Sequence, residues 1–395
     1  MRKTTSVCLA TPSAGNGRSR PALTPIERWR AALRREAADR PPADYWATPE
    51  FSAKLVRHLG LSSRAERGLV SDLSLPLADN NARPSDGFTC LRRALDQLGV
   101  DFVVKPVPRY SGPALEPDTD EFGCRHRPVA YPAGSYDETV SHPLAAFATP
   151  AEVEQSYRWP EPDWWDYSTI AQQVRGRENH PVQAGGSEPF MLYKDLRGDG
   201  QAYLDLALNP DMVHYCLDRL FDLACERTRR ILAALPAGLF LTCYVAEDLG
   251  AQHGLLMSPA HIRTYLLPRM KRMVELAHAH GAYVFHHDDG AIAQILPDLV
   301  ELGIDILNPV QWRVPGMDRQ QLKDAWGERL VFHGAMDNQK TLPFGTVEDV
   351  RQEVADNLRI LGPGYVLAPC HNIQPITPVE NVVAMYEACR AWRPD

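Results

Sequence analysis

The sequence has no run of about eighteen apolar residues, so no segment reads as a helix able to cross a bilayer. Nor is there an excess of positive charge. Its 42 Lys and Arg against 50 Asp and Glu leave a formal net charge of −8, which argues against nucleic acid or an anionic membrane surface as the main partner. The eight cysteines are scattered and include no CxxC pair. A chain of this length does not need disulfide staples, so reduced thiols in a cytoplasmic protein are expected. No internal repeat is visible. The opening stretch, MRKTTSVCLATPSAGNGRSRPA, is basic, but its apolar part, Val7 to Ala10, is too short for a secretory core. Residues 1–20 read as a disordered leader, and residues 21–395 as one domain.

What the chain does contain is punctuation. Thr24-Pro25-Ile26-Glu27 offers a cap, a proline at the first helical position and a capping-box glutamate. Similar starts recur at Thr149-Pro150, Asn209-Pro210, Ser258-Pro259 and Thr377-Pro378. Between the helical patterns lie short apolar runs of strand length: 43–47, 101–107, 181–186, 239–246, 282–287, 305–311, 330–336 and 365–370. Several are continuously apolar, as strands covered on both faces of a parallel sheet are. Alternation of helix and strand predicts an α/β protein, and eight strands predict a closed (β/α)8 barrel. A doubly wound sheet would alternate too, but no GxGxxG follows the first strand. The stretch from Leu61 to Pro150 is rich in Pro, Gly, Asp and Ser and is expected to form long loops over one barrel face.

In such barrels the chemistry sits at the C-terminal ends of the strands. The polar residues there are Glu188 and Tyr193 after the third strand, Asp248 and Gln252 after the fourth, and His287 and Asp289 after the fifth. Asn308 and Gln311 follow the sixth strand, His333 lies on the seventh, and Cys370, His371 and Asn372 follow the eighth. Residues two apart on a strand face the same side, so His287 and Asp289 can both face the mouth. Together with His371, or with Cys370 in its place or beside it, they could hold a divalent metal such as zinc and leave an open position. The same residues could instead be an acid/base set with no metal. His371, Asp248 and Tyr193 are the candidate catalytic groups. Gln252, Asn308, Gln311, Asn372 and His333 are the candidate substrate contacts, with Trp312, Trp165 and Tyr110 as aromatic lining.

Several segments resemble the uroporphyrinogen decarboxylase superfamily, in particular a branch related to corrinoid methyltransferases. They include ERWRAALRREAADRPPADYW, EDLGAQHGLLMSPAHIRTYLLPRMKRM, HHDDGAIAQILPDLVELGIDILNPVQ and GPGYVLAPCHNIQPITPVENVVAMYEA. The resemblance implies a (β/α)8 barrel and a homodimer. In the methyltransferase branch the fifth strand carries His-x-Cys-Gly and the eighth a further cysteine, which hold zinc. Here the first motif is His287-Asp288-Asp289-Gly290, and His371 stands at the second position, so the ligands are harder. In the decarboxylase proper, a histidine of the eighth strand and a tyrosine after the third touch substrate, and His371 and Tyr193 are similar in position. The arginine-rich RQAGRY motif of that enzyme is replaced by RPPADYWATPEF, so a polycarboxylate tetrapyrrole would lack its partners.

Three functions compete. The first is metal-assisted methyl or alkyl transfer on a small polar substrate. Any corrinoid would reside on a separate partner protein, because no Asp-x-His-x-x-Gly segment is present. The second is decarboxylation with His371 and Tyr193 as acid/base groups. The third is a non-enzymatic binding barrel.

Overall fold

The structure is a computed structural model that describes residues 22–61, 86–131 and 134–393. The leader through Arg20 lies outside the described residues. The first helix, Pro25–Arg34, starts at the expected capping box, in which the Thr24 hydroxyl accepts from Glu27 N and the Glu27 carboxylate accepts from Thr24 N. Thr149 and Ser258 cap as expected. Two expected caps differ. Asn209 turns its side-chain amide to the Ala148 carbonyl, and the last helix begins at Val379, one residue late, leaving Thr377 buried outside it.

Ten strands are numbered in chain order. β1 (Arg109–Tyr110) pairs with β4 (Trp165–Asp166), and β2 (Arg125–Tyr131) forms an antiparallel hairpin with β3 (Gly134–Ser141). The remaining six are β5 (Val182–Ser187), β6 (Leu241–Val245), β7 (Tyr283–His287), β8 (Ile306–Asn308), β9 (Val331–Met336) and β10 (Tyr365–Pro369). They form one parallel sheet in sequential order. The two other expected strands, 43–47 and 101–107, are extended segments held by isolated bridges. Ala43 pairs with Leu367, Ala47 with Ile373 and Val104 with Val182, and Asp101 N donates to the Ala43 carbonyl at 2.7 Å. The hydrogen-bond ladder is therefore not continuous around the ring. Pro41, Pro42, Pro106 and Pro108 remove donors at these two segments, which accounts for the interruption. The stretch expected to be only loops also holds a helix, Asp86–Leu98, and the β2–β3 hairpin. Its polar composition reflects a hairpin exposed to solvent on most of its positions.

Side-chain alternation separates inside from outside. Ala43, Cys243, Val284, Leu307, Phe332 and Leu367 pack outward against the helices, in one cluster with Leu217, Met270, Leu299, Val354 and Met385. Val104, Val182 and Ala184 do the same with Ile231 and Leu232. A separate cluster fills the barrel axis: Phe240, Phe285, Ile306, Val331 and Val366, with Val103, Trp46 and Tyr244 packed on it. Ile26, Trp29 and Ala32 of the first helix join this axial cluster and stop the barrel at its floor. Trp29 is fixed there by donating from Nε1 to the Asp101 carbonyl. The parity places Asp44, Trp46, Lys105, Tyr244, His287, Asn308 and His333 inside the barrel.

Candidate functional site

Above the apolar floor the barrel axis turns polar, and its polar groups are chained. Asp44, buried on the first extended segment, accepts from Trp46 Nε1 at 2.9 Å and from His333 Nε2 at 3.2 Å. A carboxylate can only accept, so His333 carries its proton on Nε2. Burial lowers the His333 pKa despite the Asp44 contact, which keeps the ring neutral, so Nδ1 is a lone pair. That lone pair takes the Asn308 amide N–H at 2.7 Å. The amide oxygen of Asn308 is thereby turned to His287, whose Nδ1–H donates to it at 2.5 Å. The relay places a proton on His287 Nδ1, so Nε2, facing the mouth, is the nitrogen left to take a metal or a proton.

Two carboxylates meet that nitrogen. One ligand atom from each of Asp248, His287 and Asp289 lies within 4.8 Å of the others. Asp248 Oδ1 is 3.8 Å from His287 Nε2 and, although buried, has no hydrogen-bond partner among the described residues. An imidazole nitrogen and an unpartnered buried carboxylate oxygen, pointed at a common space, fit a cation. Asp289 is held by Gln311, whose Nε2 donates to Oδ1 at 3.1 Å while its Oε1 accepts from Gly290 N at 3.0 Å. Gly290 has φ +88°, and a Cβ there would lie 2.6 Å from the Ala251 carbonyl, so only glycine permits this turn. Burial raises the Asp289 pKa, and the Asp248 and Glu188 carboxylates push it the same way against His287 and His371.

The backbone around the site is set by two carboxylates on the outer side. Asp288 accepts from Leu249 N at 2.9 Å and Gly250 N at 3.1 Å, which fixes the loop carrying Asp248. Its burial lifts its pKa to about 6. Glu247 accepts from Phe190 N at the start of the helix Pro189–Arg197. Tyr244 stacks on His287 with ring centres 5.9 Å apart and donates to Glu188 Oε1 at 2.5 Å.

The residues singled out in the sequence are placed as follows. His287, Asp289 and Asp248 converge. His371 stands at the rim, its side chain 45% exposed, with Nε2 3.8 Å from Asp289 and its ring centre 6.4 Å from that of His287. Gln311 positions Asp289. Asn308 and His333 are fully buried in the relay, so as substrate contacts they are corrected to supporting roles. Cys370 is corrected as a metal ligand. It is buried, its thiol donates to the Val310 carbonyl, and burial raises its pKa well above the usual range. Tyr193 is corrected as a catalytic group. It is fully buried in the helical layer and donates to Asp205 Oδ2 at 2.6 Å. Gln252 is exposed and makes no hydrogen bond among the described residues. Asn372 offers its backbone carbonyl to Gln374. Trp165 and Tyr110 pack on each other, and Trp312 lies between the Arg313 and Arg319 guanidiniums. Asp44, Trp46, Tyr244 and Lys105 were not anticipated. Alternation within ADYWA and a lysine inside DFVVKPV were the available signals.

Comparison with known proteins agrees with this architecture. Residues 169–392 match the family described as uroporphyrinogen decarboxylase (URO-D). The chain belongs to the uroporphyrinogen decarboxylase family. Among curated relatives, a uroporphyrinogen decarboxylase from Solibacter usitatus is 30% identical over 146 residues, which are 36% of this chain and 39% of the relative. Another, from Anaeromyxobacter sp., is 25% identical over 211 residues, 53% of this chain and 54% of the relative. The chain thus spans about half or less of the curated relatives it matches. Among solved structures, a methyltransferase from Methanosarcina mazei matches with TM-score 0.62 and 22% identity, over 93% of this chain and 98% of that one. At that identity the likeness shows a shared fold, the TIM barrel of the family. No helix among the described residues is long and apolar enough to cross a membrane.

Proposed function

We propose that this family member is an enzyme of metal-assisted methyl or alkyl transfer, acting on a small polar substrate. The observation that carries the reading is the convergence of Asp248, His287 and Asp289, with Nε2 the nitrogen of His287 left to take a metal. Two carboxylates and one imidazole would hold a divalent ion such as zinc, with the set harder than one containing thiolates. When bound, the ion supplies Lewis acidity to the heteroatom that gives or takes the alkyl group. The chain's own residues do the rest. Gln311 fixes the orientation of Asp289, the relay from Asp44 fixes His287, and Tyr244 and Trp46 form apolar walls. His371, at the rim, moves a proton to or from the substrate as it enters or leaves. A corrinoid, if it is the methyl carrier, would come on a partner protein.

Metal analysis of the purified protein tests the reading, alongside Asp248→Asn and His287→Ala. One divalent ion per chain, lost in both variants, is expected. A protein that takes up no ion when dialysed against zinc would sink it. The second reading, decarboxylation, rests on His371 beside Asp289 as an acid/base pair. It now lacks Tyr193 and would be favoured by activity that survives chelation.

A further inference from the structure

The second extended segment places one residue in the barrel that neither the relay nor the metal-binding set uses. Val103 packs on the axial cluster and Val104 on the helical one, so Lys105 is turned to the inside. Its ammonium lies 4.5 Å from the centre of the Trp46 indole. The His287 ring lies against the same indole, 5.7 Å between centres. Among the described residues Lys105 makes no hydrogen bond or ion pair, and it is solvent-exposed, although protein encloses it on most sides. That enclosure lowers its pKa against the pull of Asp44. Asp44 itself is committed to Trp46 and His333.

A solvent-accessible lysine inside the barrel that forms no ion pair among the described residues is free to receive a charged group. The geometry points to Lys105 as the anchor for an anionic group of the substrate, a carboxylate, bound over Trp46 while another part of the same molecule reaches His287 and the two aspartates. This deepens the transfer reading and rests on it for the second contact. Sharing one indole, the two ends of the site are a few bonds apart, so the molecule is small. A carboxylate is favoured over a phosphate by the surroundings. Asp44 already pulls on this ammonium, so the attraction that remains suits a monoanion, while a dianion is left uncompensated. A lysine also serves as a point charge, which suits a single carboxylate oxygen.

The test is competitive amine labelling of the full chain, read by peptide mass spectrometry. The protein, with metal chelated, is treated with a trace of acetic anhydride in chloride, acetate or inorganic phosphate at equal ionic strength. A bound carboxylate keeps the ammonium protonated and withdraws its lone pair. Acetate at saturation should therefore slow Lys105 acetylation about tenfold relative to chloride, a charge-assisted contact of ordinary strength. The exposed Lys271 and Lys340 serve as internal references and should not change. Asp248→Asn should leave the protection intact, since that variant removes the metal-binding set and not the anchor. Protection without stoichiometric metal thus keeps the anchor and defeats the transfer reading, and the reverse outcome does the opposite. Equal labelling in all three salts overturns the proposal. Protection by phosphate and not by acetate overturns the carboxylate assignment.

Discussion

Asp44 and His287 share no contact, yet Asp44 decides which nitrogen of His287 carries the proton. The instruction passes through His333 and Asn308, each of which donates once and accepts once in the relay. Such outer partners commonly change metal affinity by roughly 10–100-fold. Asp44→Asn can donate as well as accept, so the relay loses its direction. We expect zinc affinity to fall within that range while the fold persists. Zinc titration followed by competition with a chelator measures it, and an unchanged affinity would show that the relay does not act on His287.

His333 gives the relay a pH signature. Burial lowers its pKa from the ordinary 6.5, so the folded protein holds it neutral while the unfolded chain takes up a proton. Its contribution is absent above 6.5 and grows unfavourable as pH falls below that value. Burial is the largest effect on Asp44 and raises its pKa, but the lowering contacts together, the His333 hydrogen bond first among them, bring it below the ordinary 3.8, so it keeps its charge across the window. Urea unfolding at about pH 7.5 and about pH 5.5 should show a steeper loss for the native protein than for His333→Gln. Parallel pH dependences would refute this assignment.

His371→Ala separates proton transfer from metal binding. The ring lies outside the three-ligand cluster, so the variant should retain zinc while turnover drops by about 10²–10⁴. Loss of zinc together with activity would return His371 to the ligand set.

Tyr193→Phe tests the opposite expectation. Its hydroxyl bonds a buried, charged carboxylate that Arg197 and Gln201 also serve. Removal should cost about 1–3 kcal/mol of stability and leave zinc affinity and turnover unchanged. A variant as stable as the parent but catalytically dead would reinstate Tyr193 in the chemistry.

Much of the architecture was legible because strands buried on both faces are continuous apolar runs, and because proline follows a polar cap at helix starts. Six runs became regular strands within a few residues of their expected bounds. Of the other two, one follows Pro41-Pro42 and the other carries Pro106, which leave the direction of the chain readable and its pairing not. His287, Asp289 and Asp248 were legible as polar groups at strand ends. Tyr193 misled because a tyrosine one turn into a helix may follow a strand closely in sequence and still face the outer layer. Cys370 misled because neighbours on a strand face opposite ways, and only the fold decides which is inward. Asp44 was hidden by its company, a carboxylate inside an aromatic strand whose partner, His333, is 289 residues away.

The floor formed by Trp29 has a kinetic consequence. With Ile26 and Ala32 it fills the barrel from below, so the cavity is a well and not a tunnel. Two reactants cannot arrive from opposite ends. Whatever enters must leave by the same opening, so a product lingering at the mouth blocks the next molecule's entry.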